Sequence, residues 1–82
     1  SKSVNLNTVE SHIALDLEKL QNKFLKKVEI GSYPFFKLGR VGVAIVLRSD
    51  SKPYLKLCEK KLMNIIKNKK IEILSKKNKK NL

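Results

Sequence analysis

Alternation and helical spacing of apolar positions divide the chain into six segments. Val4 and Leu6 share one side of a short extended run over residues 3–6, and Ser3 and Asn5 share the other. Val9, Ile13, Leu17, Leu20 and Phe24 then recur at spacings of 4, 4, 3 and 4, which predicts one apolar stripe on a helix over residues 8–24. Asn7 is placed to cap that helix, and Glu10, three residues on, to reach back to it, a capping-box arrangement. Val28 and Ile30 alternate with Lys27 and Glu29, so a second strand starts there and runs toward Tyr33. Pro34 carries no N–H, which puts this strand at a sheet edge or a bulge.

Lys37 to Arg40, with Gly39, reads as a hairpin turn. Residues 41–47 are apolar on both sides, with Val41, Val43, Ile45 and Leu47 on one and Gly42, Ala44, Val46 and then Arg48 on the other. This predicts a central strand. After a polar break at 49–52, Pro53 suits the first turn of a second helix. Leu55, Cys58, Leu62, Ile65 and Ile66 give its apolar stripe, to about residue 67. Ile71 and Ile73 flank Glu72 in a short last strand, and residues 75–82 read as a disordered Lys/Asn-rich tail.

The order β-α-β-β-α-β predicts an α+β, ferredoxin-like split βαβ, an antiparallel sheet with two helices on one face. It occupies residues 1–74 as a single domain, followed by the tail. Val4, Leu6, Val28, Ile30, Val43, Ile45, Leu47, Ile71 and Ile73 are expected to face the helices. Asn5, Glu29, Gly42, Ala44, Val46, Arg48, Glu72 and Leu74 are expected on the open face, whose small, partly apolar centre is left for water or a partner.

Composition narrows the function classes. A chain of 82 residues holds one domain and has no spare length for a deep catalytic cleft. Its longest uninterrupted apolar run, 43–47, is far short of the ~20 residues that span a bilayer, so no membrane partner is expected. The lone Cys58 makes no internal disulfide and fits a reducing, cytoplasmic setting. One His and one Cys do not make a structural zinc site.

The net charge of +12 points first to nucleic acid. However, 17 of the 19 basic residues are Lys, and Lys, Asn and Ile together make 31 of the 82 residues, a skew that an A/T-rich genome gives with no ligand at all. The charge is zero over residues 1–25, +8 over 26–74 and +4 over 75–82. Lys56, Lys60, Lys67 and Lys70 line one face of the second helix and its extension.

Candidate chemistry is sparse. Ser11 and His12 are neighbours on a helix and point about 100° apart, so they do not form a nucleophile–base pair. Cys58 lies on an apolar stripe, as an inert buried thiol would. Gly31, Gly39 and Gly42 form no phosphate loop, and no carboxylates pair in a cleft. No catalytic, cofactor-binding or metal-ligating residue is assigned. The predicted topology is shared with RNA-recognition motifs, but the first and third strands carry no aromatic on which a base could stack. Nucleic acid is therefore disfavoured, and non-specific attraction through lysines stays as the alternative reading. The most distinctive segment is Gly31-Ser32-Tyr33-Pro34-Phe35-Phe36. Its aromatics either cap the core from a bulged strand end or form a docking surface.

Three segments carry a family resemblance: Glu10-Ser11-His12-Ile13-Ala14, the aromatic motif at 31–36, and Gly39-Arg40-Val41-Gly42-Val43-Ala44-Ile45-Val46-Leu47-Arg48. Over about residues 4–74 the chain resembles the C-terminal α+β portion of proteins with a molybdopterin-binding-type domain. These include the competence/damage-inducible (CinA-type) proteins and the matching region of FAD-synthase-like proteins. In that family the molybdopterin or nucleotide site lies in a preceding α/β domain, whose Gly-rich and acidic motifs do not occur here. The resemblance thus implies a non-catalytic accessory domain, as a fragment or a free-standing relative, with no cofactor of its own. A molybdopterin or nucleotide would belong to the parent protein. The expected docking surface is Tyr33, Phe35, Phe36, Gly42, Ala44, Val46 and Arg48, and the expected partner is the preceding domain or a second copy.

Overall fold

A computed structural model of the chain describes residues 1–78 and resolves six elements in the expected order. These are β1 (Lys2–Asn7), α1 (Glu10–Phe24), β2 (Glu29–Lys37), β3 (Arg40–Arg48), α2 (Lys52–Asn68) and β4 (Glu72–Asn78). The sheet order is β2-β3-β1-β4, with each neighbouring pair antiparallel. This is the split βαβ topology. β3 and β1 are central, as the two-sided apolar run at 41–47 requires.

The core forms where the helical stripes meet the helix-facing side of the sheet. Val4, Leu6, Val43, Ile45 and Leu47 supply the sheet side, Ile13, Leu17, Leu20 and Phe24 come from α1, and Leu55, Cys58, Leu62 and Ile66 come from α2. Val28 closes it from the turn before β2, and Ile30, Met63, Ile65 and Ile71 pack against it while partly buried. No polar or charged side chain is buried among the described residues. Two ion pairs lie at the margins: Lys2 Nζ ties β1 to Glu59 of α2 at 2.9 Å, and Lys69 Nζ at the end of α2 meets Asp16 of α1 at 3.0 Å.

The start of α1 departs from expectation. The residue before the helix is Val9, which is extended and gives no side-chain cap. Asn7 stays in β1 opposite Glu72, and its amide donates to Glu72 Oε1 at 2.9 Å. Glu10 accepts from the Ser32 hydroxyl at 2.6 Å. The local capping box loses to two partners far away in sequence, one across the sheet and one between helix and sheet. α2 follows the rule more closely, with Ser51 capping through the Tyr54 N–H and Pro53 in the first turn. It ends in a Schellman arrangement: Ile71 N–H donates to the Ile66 carbonyl, Lys70 N–H donates to the Lys67 carbonyl, and Lys70 is left-handed at φ 57°.

Two further expectations are corrected at the last strand. β4 continues to Asn78, so residues 75–78 pair with β1 and are not a tail. The ladder of β1, a central strand, still has partner groups to satisfy opposite Lys2 to Asn5, and the polar residues 75–78 satisfy them. The rest of the expected tail, residues 79–82, lies outside the described residues. Between Asn5 and Leu6 the register shifts, so that Ile73 faces Leu6 and Ser75 faces Asn5. Leu74 is the extra residue of this bulge. Ile73 keeps the helix-facing side but is 39% exposed, because on an edge strand it lies outside the helices' cover.

At the other edge, Pro34 sits within an unbroken β2–β3 register, so the edge reading holds and no bulge forms there. The free edge near the start of β2 is closed by one side chain. Gln21 of α1 accepts from the Ile30 N–H at 2.8 Å and donates to the Val28 carbonyl at 2.7 Å. It pairs with that backbone as another strand would, and Pro34 removes a donor farther along.

Candidate docking surface

Register sorts the aromatic motif onto two faces. Ser32 meets Glu10 of α1, so the even-numbered residues of β2 point to the helices. Phe36, opposite Val41, is on that side and 73% exposed beyond the helices. It is therefore not part of the open face, and the expected cluster is split. Tyr33 lies opposite Ala44, Phe35 opposite Gly42, and Gly31 opposite Val46, all on the open face. Arg48 is on the same face opposite Glu29, with Arg48 Nη1 3.8 Å from Glu29 Oε1. The structure thus brings together six of the seven expected residues and places Phe36 elsewhere.

Two glycines set the posture of the rings. A Cβ on Gly42 would overlap the Phe35 ring, and a Cβ on Gly31 would sit 2.8 Å from Tyr33 Oη. Both rings therefore fold down onto bare backbone and do not stand up from the sheet. The outcome is a low apolar strip of Tyr33, Phe35, Ala44 and Val46. Gly31 was not among the expected site residues. Strict alternation from Val28 through Phe36 would have found it, because an edge strand carries Pro34 without losing its period.

The rim of this face is basic. Lys37 and Arg40 lie directly opposite each other across the hairpin, and Lys77 is opposite Ser3. Glu29 and Glu72 are its acids, and Glu72 already accepts from Asn7. The hairpin turn between Lys37 and Arg40 has Leu38 and Gly39 both at positive φ, 53° and 75°, as a two-residue turn of right-handed twist needs.

The side chains weighed for chemistry lie on the helices, away from the strip. Ser11 and His12 are exposed on α1, and the adjacent Glu10 is engaged by Ser32. Cys58 is fully buried on α2, and burial raises its thiol from 9.0 to about 11, away from the reactive thiolate. Among the described residues, no three His, Cys, Asp or Glu side chains gather as a metal site would require. No described helix is long and apolar enough to cross a membrane.

The fold is that of a small α+β domain with a low apolar strip on its open sheet face. The family described as FAD synthase, middle domain, matches residues 1–75, and the chain belongs to that family. The match supports the FAD-synthase side of the resemblance and does not support the C-terminal, CinA-type placement. Searches of the curated proteins and of the solved structures give no match.

Proposed function

We propose that this chain is a non-catalytic accessory domain of a larger FAD-synthase-like protein, docking by its open sheet face beside an α/β domain. That neighbour, of molybdopterin-binding type, would hold the nucleotide or molybdopterin site, and its chemistry would be carried out there. The supporting observation is the apolar strip of Tyr33, Phe35, Ala44 and Val46 on the sheet face that neither helix covers. An apolar strip with a polar rim is the usual make-up of a protein contact. The free thiol of Cys58 suits work in the reducing cytoplasm. The test is amide-shift mapping of this domain with the neighbouring domain added. Ala44, Val46 and Phe35 are expected to move, and the reading fails if they do not.

A further inference from the structure

The chain ends and the charges of the open face together indicate what covers it. Lys2 pairs with both Leu47 and Asn78, so the chain enters and leaves the sheet at one pole, beside Arg48 and Glu29. From that pole the strip runs along β2 and β3 to Phe35, about 20 Å at the usual rise per strand residue. A domain tethered at either end is therefore within reach of the whole face.

Charge selects among occupants. The face carries Lys37, Arg40, Arg48 and Lys77 against Glu29 and Glu72. Lys37 opposite Arg40 is a like-charge cross-strand pair, which is unfavourable in the domain alone. A second copy laid face to face would bring together two faces on which cations outnumber acids, in a chain of net charge +12. A nucleic acid would match the charge, but the Ala44 and Val46 half of the strip gives it nothing to stack on.

We infer that the occupant is an apolar patch edged with carboxylates on the neighbouring domain, and not a second copy. This rests on the docking reading above. Tyr33 and Phe35 are its anchors, held flat by Gly31 and Gly42. Lys37, Arg40 and Lys77 are the groups that the partner's acids meet.

The test is carbodiimide coupling of the natural polypeptide that carries this domain with its neighbour, since the reagent joins an amine to a carboxylate only where the two touch. Hydrogen exchange of β2 and β3 is measured alongside, in the same polypeptide and in the isolated domain. The expected result is protection of both strands and coupling of Lys37 or Lys77 to Asp or Glu of the neighbour. Gly42→Ala lifts the Phe35 ring without changing any charge and should reduce the coupling about tenfold, the effect of losing one interface anchor. Its amide spectrum reports whether the variant remains folded. Protection without coupling of Lys37 or Lys77 leaves docking intact and overturns the carboxylate rim. Absence of protection overturns docking, and this inference with it. Coupling between two copies, with dimers in sedimentation, assigns the face to a second copy instead. Protection of the same strands by a single-stranded thymidine oligonucleotide in the isolated domain would overturn the inference in favour of nucleic acid.

Discussion

The two faces of this sheet are built from alternate residues of the same strands, yet they do different work. Along β3, Val43, Ile45 and Leu47 are at most 1% exposed beneath the helices, whereas Ala44 and Val46 between them are only half-buried. The helix-facing side is filled by branched aliphatic residues interdigitating with two helical stripes. The open side has glycines beneath two rings, then Ala and Val, and a rim of cations. Packing against α1 and α2 is thus what holds the fold, while the open side is spared from that task.

This contrast is broken most directly by truncating neighbours on β3. Ile45→Ala should cost about 2–5 kcal/mol, measured by urea unfolding, because the closed core leaves a cavity. Val46→Ala, one residue away, should cost less than about 1 kcal/mol, because partly exposed methyl groups lose little burial. Equal losses would show that the open face stabilises the fold as much as the core does. Next in size is Gln21→Ala, which strands the Ile30 N–H and the Val28 carbonyl and should cost about 1–3 kcal/mol. Amide exchange at Ile30 should rise with it.

The last test lies in the pH dependence of the core. The Cys58 thiol ionises at about 11 when folded and near 9.0 when unfolded. The unfolded chain thus loses this proton first, and the Cys58 contribution, complete below pH 9, falls as pH rises toward 11. Urea midpoints of the parent and of Cys58→Ala should converge across that window, since lysine titration is common to both. A gap that does not change with pH would place the thiol outside the closed core.

Much of the fold is legible along the chain because burial leaves a period. The stripes of α1 and α2 and the two-sided run of β3 have no good alternative to a two-helix cover on one side of a sheet. What failed to read was set by partners distant in sequence. Asn7 and Glu10 have the right spacing to cap a helix, but Glu72 and Ser32 take their side chains. Residues 75–78 look like a solvated tail, but strand pairing satisfies backbone groups whatever the side chains are. The candidate site was half legible. Gly42, Ala44, Val46 and Arg48 fell on the right face from alternation alone, while Tyr33, Phe35 and Phe36 looked like one cluster because they are close in sequence.

The sequence alone determined the order of the six elements, the core residues of both helices and of β3, and the small centre of the open face. Each of these follows from the spacing of apolar side chains, a local property. Only the tertiary structure decided the length of β4, the bulge at Leu74, the Gln21 closure of the β2 edge, and the separation of Phe36 from Tyr33 and Phe35. Those depend on register and on which donors meet which acceptors across the sheet, and register is fixed by the packing of all the strands at once.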